Sequence, residues 1–512
     1  MKSVMQHQFS QIPSAEIPRS VFDRSHGYKT TFDVGYLIPF YADEALPGDT
    51  FNLHVTLFGR LATPLYPIMD NLFMDVHFFA VPNRLLWANW KKFMGEQANP
   101  GDSTSYTIPV VVAPVGGFAT GSVADYLGMP TLIANLQCGA LHHRAYNLIY
   151  DTWYRDQNLQ NGPVLSTADA SQADSEFPLR QRGKRHDYFT SCLPWPQKGT
   201  AINLPLGTEA PVFVAAADTV QVSIKNPTIG AGIYSLGAGG TYVTASVSAG
   251  NANTQLKADL TNATAATINS LRQAFQLQKL AERDARGGTR YTEIVRAHFG
   301  VISEDARQQR PEYLGGTTTA ININPVPSTV KETTRPQGSV AAYGTLTCQA
   351  GFTKSFTEHC VLIGIVSVRA DLTYQQGLQR MFSRSTKYDF YWPGLANLGE
   401  QSVLNKEIYC KNDANDNLVF GYQERWAEYR YFPSKITGKM RSNASGTLDA
   451  WHLSQNFGAL PTLGDTFIKE TPPMSRVLAV GTEPHILFDS YFSIKTARPM
   501  PVYSVPGLID HF

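Results

Sequence analysis

Alternation of apolar and polar residues along several short segments predicts β-strands. Residues Phe51–Leu57 and Met74–Ala80 follow this period of two, which places one face of each strand against a core. Val361–Arg369 is a nearly continuous apolar run, typical of a central strand, and Ile486–Ile494 contains a late strand. The first and last of these strands lie more than four hundred residues apart. We therefore predict a mainly β fold, a jelly-roll β-sandwich whose long connections carry insertions.

Helical periodicity occurs between the predicted strands. Thr267–Arg286 carries an apolar stripe at helical spacing and is followed by Gly287 and Gly288, which are typical of a helix end. Leu141–Trp153 also places its apolar residues on one helical face, and Leu85–Met94 is a shorter amphipathic segment. We expect these helices to lie in the insertions of the sandwich.

Two breaks in composition divide the chain. Residues 1–48 are rich in proline and also in aromatic residues, which predicts an extended arm lying on other surfaces rather than a disordered tail. Residues 207–266 are dominated by Ala, Thr, Gly, Val, Ser and Asn and contain only five charged residues. We predict that residues 49–206 form the first part of the jelly roll. Residues 267–512 then supply a helix, the remaining strands and a C-terminal arm.

The low-charge segment 207–266 keeps strand-like alternation at Val220–Ile224 and Tyr242–Val247. A flexible linker would carry more charge and fewer β-branched residues. We interpret the segment as a compact, uncharged β module standing on the surface, with a linker as the alternative.

The charge of the whole chain is balanced, with 43 Lys and Arg against 42 Asp and Glu. Any contact with nucleic acid must therefore come from local patches. The charged share of 17% is below the roughly 25% of an ordinary soluble domain, which indicates that polar surface is hidden in interfaces. Five cysteines without a CxxC pair favour reduced thiols. The chain has neither an apolar signal core nor a run long enough for a membrane helix, so we expect no membrane insertion.

Motifs for phosphate cradles, dinucleotide sites, nucleophile elbows and zinc proteases are absent from the sequence. His142 and His143 are adjacent on a predicted helix and point to different faces, which disfavours a shared metal ion. His359 and Cys360 are neighbours in sequence, which does not supply the geometry of a catalytic pair. We expect no enzyme, no cofactor and no metal. Two alternatives stay open: a glycan-active enzyme, which needs paired carboxylates, and a lectin-like attachment module.

Basic residues cluster at two places. The first cluster has few acids nearby and comprises Arg180, Arg182, Lys184 and Arg185. We predict phosphate contact there, with ion pairing between subunits as the competing interpretation. The second cluster is interleaved with acids, which favours a solvated face or salt bridges, and comprises Arg283, Arg286, Arg290 and Arg296.

Aromatic residues are concentrated in Gly421–Pro433, beside two arginines. Trp426, Tyr429 and Tyr431 could stack on nucleic-acid bases. The same residue types are enriched at the centres of protein interfaces. We favour a subunit interface and keep base stacking as the alternative.

Four long segments resemble gokushovirus major capsid proteins, of the microvirus group of small single-stranded DNA phages. These segments are Ile17–Phe51, Lys184–Gly199, Glu282–Gly316 and Glu424–Gly438. They span both halves of the chain. Residues 207–266 do not match in detail, and proteins of this family differ most at that place.

The resemblance implies an eight-stranded jelly roll that assembles into a T=1 icosahedral shell around circular single-stranded DNA. It also implies that residues 207–266 form a protrusion at the threefold axes, which serves host attachment. Five residues mark this protrusion: Gly207, Tyr234, Gly239, Tyr242 and Ala266. The implied partners are further copies of the chain, the DNA, a small basic DNA-packaging protein, a pilot protein and a receptor on the bacterial surface. The implied location is the virion, after assembly in the host cytoplasm.

Overall fold

Segments with period-two patterning form antiparallel strands in a computed structural model of the chain. The structure describes residues 18–202, 212–213, 234–239, 242–247, 257–258, 268–331, 333 and 336–503. In chain order the strands are β1 (Ser20–Asp23), β2 (His26–Phe32), β3 (Ile38–Ala45), β4 (Thr50–Leu61), β5 (Leu72–Pro82), β6 (Val110–Val112), β7 (Gln137–Gly139), β8 (Gln172–Ala173), β9 (Val212–Phe213), β10 (Tyr234–Gly239), β11 (Tyr242–Val247), β12 (Lys257–Ala258), β13 (Glu312–Ala320), β14 (Asn322–Pro327), β15 (Val340–Ser355), β16 (Cys360–Ala370), β17 (Glu400–Leu404), β18 (Val419–Glu424) and β19 (Ile486–Arg498).

Helices lie in the connections between these strands, as predicted. In chain order they are α1 (Asn83–Leu86), α2 (Trp90–Phe93), α3 (Val123–Tyr126), α4 (Leu141–Ile149), α5 (Ile268–Arg286), α6 (Tyr291–Phe299), α7 (Asn405–Ile408), α8 (Ala427–Arg430), α9 (Asp465–Ile468) and α10 (Met474–Val477). A π-helical turn, Tyr150–Tyr154, continues α4. Short 3₁₀ turns occur at Asp174–Glu176, Arg380–Phe382, Lys387–Asp389, Pro393–Leu395, Ala414–Asn417, Gly438–Met440 and Asp449–Trp451.

Two antiparallel sheets dominate the fold. One has the strand order β1–β19–β4–β15–β14, with β2 also paired to β19, and the other has the order β13–β5–β16–β3. The longest pairings join strands far apart in sequence, since β4 pairs with β19 from Thr50↔Ala497 to Leu61↔Ile486. The prediction of a mainly β fold is confirmed, and the structure shows that its main sheets are antiparallel. The count of eight strands stays a prediction.

The two sheets share one apolar core. Phe40 of β3 lies 5.7 Å from Phe488 and 5.6 Å from Phe492 of β19, measured between ring centroids. Phe78 of β5 lies 5.4 Å from Phe352 of β15. Because these rings come from opposite sheets, the sheets pack face to face as a sandwich.

A second apolar cluster covers the other face of the four-stranded sheet. Val361, Ile363 and Ile365 of β16 point into it, where they meet buried residues of α4 such as Tyr146 and Ile149. The intervening residues of β16 belong to the sandwich core. The strand is therefore buried on both faces, which explains its nearly continuous apolar sequence.

Residues 20–45 of the predicted N-terminal arm form paired strands. β1 and β2 pair with β19, and β3 pairs with β16 at the edge of its sheet. This differs from the irregular conformation expected for the arm. Proline is compatible with β3 because Pro39 lies on an edge strand, where the register shifts between Gly364 and Ile365. Residues 1–17 lie outside the described residues.

The chain forms two compact units, one of Met1–Pro196 with Gly287–Phe512 and one of Gln197–Arg286. In the second unit β10 pairs with β11, and β9 pairs with β12, both antiparallel. The predicted strand Tyr242–Val247 and the predicted helix before Gly287 are confirmed. The predicted strand Val220–Ile224 lies outside the described residues, and the four domain boundaries stay a prediction.

Candidate functional surfaces

The basic segment Arg180–Arg185 has an irregular backbone. Isolated β-bridges pair Gln181 with Tyr36 and Gly183 with Lys469. Arg182 lies with its guanidinium inside the protein, where it donates to the Asp75 carboxylate and, at 2.8 Å, to the Ser367 hydroxyl. Arg369 contacts the same Asp75 oxygen at 3.0 Å. Asp75 is only 3% exposed. Arg182 therefore neutralises a buried carboxylate of β5.

Lys184 is buried as well. Its Nζ donates to Gln455 Oε1 at 2.8 Å and lies 4.4 Å from the centre of the Phe467 ring. Burial lowers the pKa of Lys184 to about 8, although the nearby Glu470 and Asp187 carboxylates oppose this shift. The ammonium group is thus held in a poorly hydrated place where its charge is costly.

The remaining two cations of the segment point elsewhere. Arg180 lies 5.2 Å from the centre of the Tyr150 ring. Arg185 has a side chain that is 66% exposed, and its guanidinium is 3.9 Å from the Asp371 carboxylate. The four side chains do not form one surface, and Arg185 is the exposed member. Phosphate contact at this segment stays a prediction.

The aromatic residues predicted at an interface belong to a larger exposed region, which we call the aromatic surface. It consists of Arg380–Trp392 and Arg425–Arg441. Trp426 is 3% exposed and anchors it, with its indole Nε1 donating to the Leu395 carbonyl at 3.1 Å. Tyr429 and Tyr431 are half exposed. The structure therefore brings two segments of sequence together around one buried indole.

A pocket lies within the aromatic surface, lined by residues that include Arg380, Tyr431 and Phe432. Arg380 contacts the buried Glu407 at 3.1 Å and lies 4.0 Å from Glu428. Burial raises the pKa of Glu407, while the Arg380 guanidinium opposes the shift. The sequence does not reveal that the Glu407 and Glu428 carboxylates lie close together. Each of them also accepts a hydrogen bond within the subunit, Glu407 from the Tyr188 hydroxyl and Glu428 from the Gln401 amide.

Comparison with known proteins decides the family. The family model described as capsid protein (F protein) matches residues 10–508. The chain belongs to this phage capsid protein family. It is 47% identical to capsid protein VP1 of Bdellovibrio phage phiMH2K, covering 99% of the chain and 98% of that protein. It is 45% identical to capsid protein VP1 of Chlamydia phage 1, with 99% and 98% coverage, and 38% identical to that of Spiroplasma virus 4, with 98% and 97% coverage.

Membership of this family confirms the resemblance to gokushovirus major capsid proteins. The chain is a major capsid protein of a microvirus-like phage, and it is located in the virion. The segments that carried the resemblance contain Lys184 and Trp426, both of which are buried. Part of the family signature thus maintains the fold of the subunit.

The residues marking the predicted protrusion lie in the second unit. Gly207 and Ala266 are outside the described residues. Tyr234 and Gly239 are the ends of β10, and Gly239 pairs with Tyr242 at the turn of a hairpin. The β9–β12 pairing joins Val212–Phe213 to Lys257–Ala258, so the two ends of the intervening segment are neighbours.

The structure adds residues that sequence reasoning missed. Part of the aromatic surface comes from Arg380–Trp392, which no sequence motif marks as a site. Its mixture of aromatic residues with Arg384 and Lys387 resembles that of Gly421–Pro433, and this composition is the signal in the sequence that points to it.

Other chemistry is sparse in the described part of the chain. There, no group of three or more His, Cys, Asp and Glu side chains could hold a metal ion. His143 is fully buried beside Phe118 and Phe177, and Cys360 is buried at the start of β16. Within the same residues, no helix is long and apolar enough to cross a membrane.

The buried position of Lys184 leads to a stability prediction. Lys184→Met removes a charge that burial disfavours, but it also takes a counter-charge from the buried Glu470 carboxylate, so the free energy of unfolding at pH 7 should stay within about 1 kcal/mol of wild type. The folded-state pKa of about 8 lies below the ordinary 10.5, so the folded chain releases this proton first. Wild type should therefore gain stability relative to the variant as pH rises from 8 to 10.5.

Urea unfolding of the unassembled subunit at pH 7 and pH 10, followed by tryptophan fluorescence, measures both effects. Arg185→Met is the matched control, because it removes a cation of the same segment whose side chain is 66% exposed. A large loss of stability in Lys184→Met at pH 7 would contradict the assignment of a costly buried charge.

Proposed function

We propose that the chain self-assembles into a T=1 icosahedral shell that encloses a circular single-stranded DNA genome. The observation that carries the proposal is the match of the capsid family over residues 10–508, with relatives that align along nearly their whole length. The β-sandwich supports it because its sheets supply a rigid subunit body.

The near-neutral charge of the chain supports neutralisation of the genome by another protein of the particle. With 43 basic and 42 acidic residues, the shell protein alone does not neutralise a genome. A small basic packaging protein fits this requirement, and a pilot protein completes the proposed set of virion partners. Assembly takes place in the host cytoplasm, and the shell protein acts as a structural component rather than an enzyme.

Mass measurement tests the shell directly. Sixty copies of a 56.5 kDa chain give a protein shell of about 3.4 MDa. Mass photometry of particles purified after nuclease treatment should show this mass plus the protected DNA, and electron micrographs should show closed, uniform shells. Stable free monomers or trimers would instead favour the attachment-module alternative. Turnover of a polysaccharide that depends on one carboxylate would favour the glycan-active enzyme.

We also propose that residues 207–266 form a surface protrusion that contacts the host receptor. The low charge of this segment and its lack of detailed resemblance to the family support a role that varies between phages. Its hairpin of β10 and β11 supports a β module rather than a linker.

Deleting Ala215–Asn253 should abolish adsorption to host cells while leaving assembly intact. The β9–β12 pairing brings together Phe213 and Lys257, which flank the deleted segment, so a short Gly/Ser linker can close the gap. Adsorption is measured as the loss of free particles from a host suspension, with particle melting and DNA content as the controls for shell integrity. Normal adsorption would contradict the receptor role, and failure to form shells would contradict a surface protrusion.

A further inference from the structure

The aromatic surface exposes an unusual number of rings in one place. Eight aromatic side chains between 48% and 68% exposed belong to it: Phe382, Tyr388, Phe390, Tyr391, Trp392, Tyr429, Tyr431 and Phe432. Water contact with this much apolar area is unfavourable, at roughly 25 cal/mol per Å². Exposed apolar patches of this kind mark binding sites.

The rings are held in place before any partner arrives. Tyr391 packs 5.6 Å from the buried Trp426 and 6.3 Å from Tyr429, measured between ring centroids. The Trp392 indole donates to the Lys387 carbonyl at 2.8 Å. Trp426 itself adopts a left-handed backbone with φ of 68°, which a buried anchor can maintain. A surface fixed in this way loses little entropy when a flat ligand binds.

Cationic side chains lie over the rings. The Arg384 guanidinium is 4.4 Å from the centre of the Tyr429 ring and 5.3 Å from that of Phe390. Lys387 lies 4.9 Å from the Tyr388 ring, and Lys435 lies 5.2 Å from the Phe432 ring. Flat apolar faces and positive charge therefore alternate across the surface.

The local charge differs sharply from that of the chain. Arg380–Trp392 and Arg425–Arg441 contain eight Lys and Arg against two Asp and Glu, whereas the whole chain has a net charge of only +1. Two of these arginines also pair with acids outside the segments, Arg380 with Glu407 and Arg430 with Glu424, so the unpaired positive charge comes mainly from the lysines. The two acids have fixed partners within the subunit. Asp389 accepts from the backbone N–H groups of Ser385 and Thr386 at 3.0 and 2.7 Å, and Glu428 pairs with Arg384 at 3.7 Å. Lys387, Lys435 and Lys439 are exposed.

The charge argues against a second copy of the same surface as the partner. A twofold contact would place this excess of positive charge against itself. Lysine is also depleted at the centres of protein interfaces. A single-stranded nucleic acid meets both requirements, because its phosphates are anionic and its unpaired bases present faces on which aromatic rings stack.

We propose that the aromatic surface is a stacking site for single-stranded DNA, in which the rings hold bases and the three exposed lysines contact phosphates. This assigns a partner to the surface, and it rests on the proposed enclosure of single-stranded DNA by the shell. Recognition of this kind is independent of base sequence, as a shell protein that contacts a whole genome requires.

Binding of a fluorescein-labelled thymidine oligonucleotide to the purified full-length chain tests the proposal, with fluorescence anisotropy measured over a range of salt concentrations. Lys387→Gln/Lys435→Gln/Lys439→Gln should reduce the slope of log K against log salt by about 2, since each phosphate contact on a single strand contributes about 0.7. Phe382→Ala/Phe432→Ala should weaken binding about tenfold or more with an unchanged slope, because stacking is insensitive to salt.

Matched controls are Lys29→Gln and Phe299→Ala, whose side chains are also exposed but lie outside the aromatic surface. Both controls should bind as wild type does. Near-ultraviolet circular dichroism of each variant establishes that the fold is retained.

Wild-type affinity and salt slope in both surface variants would overturn the proposal. Variants that bind the oligonucleotide normally but no longer form particles would also overturn it, because the surface would then be a subunit interface. Failure of the proposed shell is a separate result, since it would appear as absence of DNA-filled particles from the wild-type chain.

Discussion

Replacing Asp75 with alanine is expected to lower the free energy of unfolding of the subunit by about 3–5 kcal/mol. The Asp75 carboxylate is 3% exposed and is the shared partner of Arg182 and Arg369. Its removal leaves two guanidinium groups in a poorly hydrated place without their counter-charge. Urea unfolding of the unassembled subunit, followed by tryptophan fluorescence, measures the loss.

The matched control is Asp489→Ala, which removes an exposed ion pair with Lys29 on the six-stranded sheet. Exposed pairs of this kind contribute about 0–1 kcal/mol, so this variant should unfold almost as wild type does. Equal effects of the two substitutions would contradict the claim that burial makes the Asp75 network important.

The same carboxylate should contribute to acid sensitivity. Burial acts to raise the pKa of Asp75, but Arg182 and Arg369 outweigh it and hold the pKa below its ordinary 3.8. Since the folded-state pKa is the lower one, Asp75 stabilises the fold above pH 3.8, and this contribution is lost as pH falls through the folded-state value. Wild type and Asp75→Ala should therefore become more alike in stability at low pH.

Phe492→Ala is expected to cost about 3–5 kcal/mol, because it removes a fully buried ring from the contact between the two sheets. Phe492 packs 5.6 Å from Phe40 and 5.1 Å from Tyr41, both of which belong to β3 in the opposite sheet. Truncation leaves a cavity where the sheets meet, and the rigid strands on either side cannot collapse into it.

Tyr491→Ala is the matched control for this substitution. Tyr491 is the preceding residue of the same strand, and its side chain is 56% exposed on the outer face of the sheet. Urea unfolding should show a loss below about 1 kcal/mol for Tyr491→Ala. A similar cost for both residues would contradict the assignment of inner and outer faces.

The sequence predicts the buried position of Phe492 but not the buried ion pairs of Asp75. Alternation of apolar and polar residues in Ile486–Ile494 predicts that Phe492 faces a core. By contrast, Asp75 is the single acid in an apolar strand, and its partners are more than one hundred residues away in Arg182 and nearly three hundred in Arg369. Nothing local to β5 identifies them.

Sequence patterns also missed several strands of the sandwich. β13 and β15 contain glycines and many small polar residues, which weaken the period-two signal. They form strands because β13 pairs with β5 and β15 pairs with β4, both antiparallel. Residues 20–45 also form strands rather than the predicted arm. Their pairing partners in β16 and β19 lie far along the chain, so no local pattern reveals the pairing.

Periodicity and long matching segments are local properties of the chain, and they suffice to predict the mainly β class, the helix before Gly287 and the capsid family. Tertiary structure alone decided that Arg182 and Lys184 serve the interior while Arg185 faces solvent. It also joined Arg380–Trp392 to Arg425–Arg441 in one aromatic surface. Burial and ion-pair partners depend on contacts between distant segments, and these contacts form only when the chain has folded.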